Sequence, residues 1–318
     1  MYIGFRICLP AAVSWLAVCP LAMFGQNAAP AAPVPDWQIK AGGQMAFTVA
    51  SVKPDTGPFR PPNFPLDVGD AFRPVGGHFS ADFPLGTYIT FAYKLWLTAD
   101  QRQSMIAHLP GWVGTDRFDI QAEAEGSPTK DQMRLMMQAL LAERFQLKVH
   151  FETQVVPVLA MVLVKPDKTG PKLRPHSEGV PCEATPATNG PPGGPPASGT
   201  SVFPPVCDVY MMTMSPNAGA RAGSRNTTLD LLAGSLPGTG GLDRPVVDQT
   251  GLSGRYDFLI EFAPESGAAS APNAGTPADV PGSTFLEALQ EQLGLKLEAT
   301  KAPLRILVVD HVDRPSQN

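Results

Sequence analysis

The chain has 318 residues, of which 17% are charged, with a formal net charge of −5. That balance excludes a nucleic-acid binder of the usual basic kind, and the length allows one large domain or two small ones. Its 35 prolines and 30 glycines make up about a fifth of the chain, below the roughly 25–30% of a low-complexity sequence, so the excess is expected to be local.

At the N-terminus Arg6 precedes an uncharged run over 7–24 and the small or polar Gly25, Gln26, Asn27, Ala28 and Ala29. This is the order of a secretory signal peptide, expected over residues 1–25. The alternatives are an uncleaved membrane anchor, which Pro10 and Pro20 weaken as a helix, and a lipobox at Leu16, Ala17, Val18 and Cys19. Exported protein, periplasmic or secreted, loses Cys8 and Cys19 with the leader and keeps no membrane span. Cys182 and Cys207 remain, and two cysteines in an oxidising compartment pair by default. Such a bridge closes a loop of about 26 residues, worth about 3.5 kcal/mol in the chain-entropy model. A zinc site is the competing use of these thiols, without the CxxC or HxxxH spacing it needs.

Residues 26–45 are rich in alanine and proline and read as a linker. The expected class is α+β, with two tandem strand-helix-strand-strand modules related by an internal repeat and separated by Pro/Gly-rich loops. The first module spans 46–175. It opens on a short strand signal from Phe47 to Val52, then a proline-rich loop, then a strand and short helix through Phe79, Phe83, Leu85, Ile89 and Ala92. Its repeat unit begins at Asp116, Arg117, Phe118, Asp119 and Ile120. A helix follows, in which Met133, Met136, Met137, Leu140 and Leu141 form one apolar face behind a Thr129/Gln132 capping box. Leu147, Lys148 and Val149 then open one strand, and 158–164 a second, entered by Pro157.

The insert 176–206 carries Pro191, Pro192, Gly193, Gly194, Pro195 and Pro196, a composition that suits neither a helix nor a central strand. The second module, 207–318, is expected to bury Tyr210, Met212 and Met214 together on a strand and to place a helix over 226–236. Its repeat unit reads Gly254, Arg255, Tyr256, Asp257 and Phe258, then a helix with Phe285, Leu286, Leu289 and Leu293 ended by Gly294. Leu295, Lys296 and Leu297 follow, then a last strand over 304–309 entered by Pro303.

The search for chemistry nominates no catalytic set, cofactor or metal. The histidines, His78, His108, His150, His176 and His311, form no HExxH or HxH pair, and the Asp310, His311, Asp313 cluster reads as a solvated exit turn. Met211, Met212 and Met214 raise soft copper(I) ligation, against gap-filling in a core. Asp248, Gln249, Thr250 and Gly251 interrupt the Asp-Thr/Ser-Gly loop of aspartic proteases, and a turn with Gly251 and Gly254 at positive φ fits better. Neither a GxSxG elbow nor a phosphate-binding glycine loop is present.

The repeated Arg-aromatic-Asp stands apart. Arg117 and Asp119, like Arg255 and Asp257, lie two apart on a strand and share a face. Two readings compete: an anion site built from both arginines across a pseudo-twofold, and charged pairs pinning each strand while Phe118 and Tyr256 fill the core. The second is preferred, because such pairs are ordinarily structural.

The motifs FTVASVKP (47–54), RFDIQA (117–122), MMQALLAERFQLKVH (136–150), GPKL (170–173), GLSGRYDF (251–258) and EQLGLKLEATKAPLRILVVDHVDRP (291–315) together resemble the soil-associated protein family. The resemblance implies an exported protein of unknown function, from a family with many paralogues in soil bacteria. Some members are fused to a membrane metallopeptidase of the beta-lactam-sensor type; this chain has neither those membrane helices nor HExxH, so the peptidase role does not carry over. The helix followed by two strands is also similar in shape to short N-terminal domains of secretins and TonB-dependent receptors, an analogy of topology that licenses no function.

The leading expectation is an exported, non-catalytic binding protein whose partner is a protein, peptide or envelope polymer. The alternatives are a hydrolase using carboxylates or His150 and His311 between the modules, and a sensory ectodomain held by an uncleaved leader.

Overall fold

Alternating apolar residues build a first antiparallel sheet, ordered β1 (Val49–Asp55), β3 (Arg117–Glu123), β2 (His78–Pro84), in the computed structural model. The structure describes residues 34–69, 74–177, 204, 207–215, 219–263 and 282–315. The leader, most of the linker, Cys182 with most of the insert, and the loop 264–281 lie outside the described residues. Every element described below lies in one compact unit, residues 32–318.

In chain order these are α1 (Asp36–Ala41), β1 (Val49–Asp55), β2 (His78–Pro84), α2 (Leu85–Ala92), α3 (Ala99–Ile106), α4 (Trp112–Thr115), β3 (Arg117–Glu123), α5 (Lys130–Arg144) and β4 (Lys148–Leu163). Then come β5 (Leu173–Pro175), β6 (Met211–Ser215), β7 (Gly219–Thr227), α6 (Leu229–Gly240), β8 (Val246–Asp248), β9 (Tyr256–Phe262), α7 (Phe285–Ala288), a π turn (Leu289–Leu293) and β10 (Leu295–His311). The class is α+β.

Val52, Ile120 and Ala81 stand side by side across the first sheet, and its inner face, with Phe79 and Phe118, packs on α2 and α5. Helix α5 starts at the capping box of Thr129 and Gln132 and buries Met133, Met137, Leu140 and Leu141. Each such side chain removed from water contributes about 1.5–3 kcal/mol. A second sheet, β5-β9-β7-β6, packs against α6 and α7 around Ile260, Phe262, Leu232 and Leu289. Helix α6 begins at Leu229, capped by Thr228, because 219–227 is already strand β7.

The third sheet ties the two cores together. β4 and β10 pair antiparallel from Leu295 opposite Leu163 to His311 opposite Lys148, with β8 parallel to β4 at 159–161. Leu307 and Val309 at the far end of β10 join the first core, whereas Leu159, Met161 and Leu295 join the second. Each core therefore takes strands from both halves of the chain. The paired short strands expected around Pro157 and Pro303 are single long strands running through both prolines. Lys301 stands opposite Pro157 and Val155 opposite Pro303, positions where the missing N–H points away from the partner strand, the setting in which proline is tolerated.

Candidate functional site

The connection between the cores on the α2–α3 side is the segment 95–101. Lys94 takes a positive φ of 52° to turn the chain out of α2, and the Thr98/Gln101 capping box starts α3. Between them the Trp96 indole lies on Gly234 of α6, where a Cβ would come within 2.6 Å of the ring. Trp96 remains 41% exposed, because its other surfaces form walls of two concavities.

The larger, about 740 Å³, is lined by Trp37, Tyr93, Trp96, Phe151 and the β10 segment 304–308, facing Met105 of α3 and His108 just beyond it. The smaller, about 450 Å³, lies on the α6 side with Tyr210, Met212 and Thr239. Both volumes fall within the range of small-molecule sites, which are mostly apolar with a few placed polar groups.

The polar groups of the larger groove are specific. The Arg305 guanidinium stacks 3.8 Å from the centre of the Phe151 ring, which meets Tyr93 edge to face at 6.2 Å. Burial lowers the Arg305 pKa from its ordinary value, yet a guanidinium stays charged. Burial pushes the Tyr93 phenol up to about 12, which keeps it protonated at neutral pH. Lys94 sits 5.6 Å from the Trp37 ring centre and 3.3 Å from Asp131. His108 Nε2 is 3.2 Å from the Val309 carbonyl oxygen, which accepts from it. The arrangement can hold a ligand with an apolar body and an anionic group.

The residues singled out from sequence lie elsewhere, in local pairs. Arg117 is 3.1 Å from the buried Asp82 and donates to the Gly57 carbonyl, while Asp119 is 2.9 Å from Arg60. Arg255 is 2.8 Å from Asp208, and Asp257 accepts from the Asn226 amide and pairs with His176, both at 2.7 Å. Phe118 and Tyr256 are buried in the first and second core respectively. Arg117 opens β3 of the first sheet, whereas Arg255 lies one residue before β9 of the second. His150 Nδ1 is 2.9 Å from Asp310, and Nε2 is 3.0 Å from Glu152; carboxylates on opposite sides of the ring leave neither nitrogen free for a shared metal. Among the described residues no group of three or more His, Cys, Asp or Glu is placed to hold a metal ion. Gly251 and Gly254 do take positive φ, and Thr250 donates its amide to Asp248 at 2.9 Å, a turn.

Met212 and Met214 correct the expectation of burial. They are 38% and 59% exposed, because β6 is the sheet's edge strand and alternation fixes which residues share a face without fixing which face meets the core.

A family model described as protein of unknown function (DUF3738) matches residues 86–312, from α2 to the end of β10. The chain belongs to the DUF3738 family. No curated protein and no solved structure matches it. Of the larger groove's aromatic walls in this DUF3738 chain, Tyr93, Trp96 and Phe151 fall within the matched region and Trp37 outside it. Sequence reading missed them because they come from separate segments with no common spacing. The signal available was the RIL step at 305–307, a cation within an apolar strand.

Proposed function

We propose that this DUF3738 chain is an exported binding protein that takes its ligand in the groove between the two cores. The groove of about 740 Å³ with its aromatic walls and stacked Arg305 carries the reading. Export is supported by the order of charge, apolar run and small residues at the N-terminus, and by the resemblance to the soil-associated family of exported paralogues. No helix among the described residues is long and apolar enough to cross a membrane. The two strand-helix-long-strand runs, 117–163 and 256–311, support a duplicated pair of modules, with Arg117/Asp119 and Arg255/Asp257 as strand pins. A Cys182–Cys207 bridge staples the insert between them.

Native mass spectrometry of the purified protein after exposure to envelope extract tests the function. A reproducible added mass held by wild type and lost from Trp96→Ala supports the groove; the same mass held equally by both removes it. N-terminal sequencing of the native protein tests cleavage near residue 25, and peptide mapping without reductant tests the bridge.

A further inference from the structure

Strand β10 is the outer strand of the sheet β10-β4-β8, and three observations fix which of its backbone groups point outward. Pro303 has no N–H to give. Its neighbour in phase, Lys301, stands opposite Pro157, which has none either. The Val309 carbonyl, in the same phase, accepts from His108 on the far side of the groove from β4. In an antiparallel ladder alternate residues turn both backbone groups away from the partner, so Arg305 and Leu307 turn their N–H and C=O away from β4; Arg305 is exposed, whereas Leu307 is 4% exposed and belongs to the first core. Neither has a backbone partner there among the described residues. The segment 304–308 lines the groove, and Asp100, Gln101, Ser104 and Met105 of α3 line it too. An open strand edge that lines a groove shared with a helix is the geometry that accepts an added strand.

The groove also states a charge preference. Lys94 is paired with Asp131 and Arg244 with Asp243, and Asp100 sits in the first turn of α3, where the helix dipole favours an anion. Arg305, stacked on Phe151, has no carboxylate partner among the described residues. The fork of a guanidinium recognises a carboxylate in two-point contact.

We propose that the groove binds an extended acidic peptide, which adds as a strand to the exposed edge of β10 at Arg305 and sets a glutamate or aspartate side chain against the Arg305 guanidinium. This rests on the groove reading above and names its ligand. His108 on Val309 closes one end of the open edge, and Pro303, lacking a donor, limits the other. Alternate side chains of the guest reach the wall formed by Trp37, Tyr93 and Trp96.

The test selects binders from a phage-displayed library of random peptides on the immobilised full exported chain, then synthesises the best one. Single backbone N-methylations along that peptide are titrated against wild-type protein, so the result does not depend on any variant folding. Strand addition predicts a period of two: N-methylation at every second residue weakens binding about tenfold, and the intervening positions leave it unchanged. Arg305→Gln weakens the acidic peptide about fivefold and erases the preference for glutamate over glutamine at one peptide position. A flat N-methylation scan, an unchanged glutamate preference in Arg305→Gln, or a library that yields no binder overturns the peptide proposal. Where the scan is flat and the bound peptide is still lost from Trp96→Ala, strand addition alone fails and the groove stands; binding indifferent to Trp96→Ala removes the groove itself.

Discussion

Gly170 and Gly294 lie backbone against backbone. The Gly170 amide donates to the Leu293 carbonyl at 2.8 Å, and a Cβ on Gly170 would stand 2.5 Å from the Gly294 nitrogen. Gly294 also closes the π turn at a φ of 70°, feeding it into β10. The GPKL and LGLKL motifs, far apart in sequence, are thus the two sides of one contact that sets where β10 starts. Gly170→Ala forces backbone against backbone with no flexible side chain to yield, and is expected to cost about 2–3 kcal/mol or more in urea unfolding. Gly238→Ala, with open space around it, serves as the control and is expected to be neutral or to stabilise α6 by up to about 1 kcal/mol. Equal stability of Gly170→Ala and wild type would contradict the contact.

The Trp96 contact with Gly234 gives a second prediction, because the indole is the wall shared by both concavities. Gly234→Ala improves helix propensity in α6 by about 1 kcal/mol but places a methyl inside the ring's contact distance. The partly exposed indole is the part that moves. The expected outcome is a small change in unfolding midpoint together with a red shift of tryptophan emission, and the shift vanishes in a Trp96→Phe background. Emission unchanged by Gly234→Ala means the ring does not rest on that glycine.

Much of the frame was legible because local rules and tertiary packing agree there. The apolar stripe of α5 and its Thr129/Gln132 box and the inward Phe118 and Tyr256 follow from period and capping. The long strands did not, since Pro157 and Pro303 look like breaks until the pairing places them where no ladder bond is due. Burial of Met212 and Met214 failed for another reason: an edge strand can turn either face outward. The groove was illegible because Trp37, Tyr93, Trp96, Phe151 and Arg305 meet only after β10 has crossed to the first core.

Arg134 shows how a charge hidden in an apolar helix face escapes sequence reading. It is fully buried in α5, donates from Nη2 to the Asp67 and Gly69 carbonyls at 3.0 and 2.8 Å, and pairs with Asp131. Asp67 and Gly69 line the smaller concavity, so this guanidinium, together with Lys130 on the Asp67 carboxylate, holds the loop that forms its rim. Arg134→Met removes the donors from those carbonyls and from Asp131, which keeps Lys94 at 3.3 Å, with an expected loss of about 1–3 kcal/mol. Hydrogen exchange at 66–69 should rise in a partly stabilising osmolyte that keeps the variant folded. Protection of 66–69 equal to wild type under those conditions would show that the loop is held otherwise.

His150 supplies the pH prediction. The hydrogen bond to Asp310, then that to Glu152, raises its pKa above the ordinary imidazole value. The folded state therefore holds the proton more tightly than the unfolded one. Its contribution to stability is complete below about 6.5, the unfolded value, and is lost as pH rises through the higher folded value. The ring is exposed and screened, so the effect on the midpoint is small and the titration itself is the better readout. Imidazole NMR is expected to place His150 above about 6.5 in wild type and lower in Asp310→Asn, with a further fall when Glu152→Gln is added. Midpoints measured on either side of the folded pKa should differ more in wild type than in His150→Gln. A His150 that titrates at the ordinary imidazole value with both carboxylates intact would mean that neither hydrogen bond forms in solution.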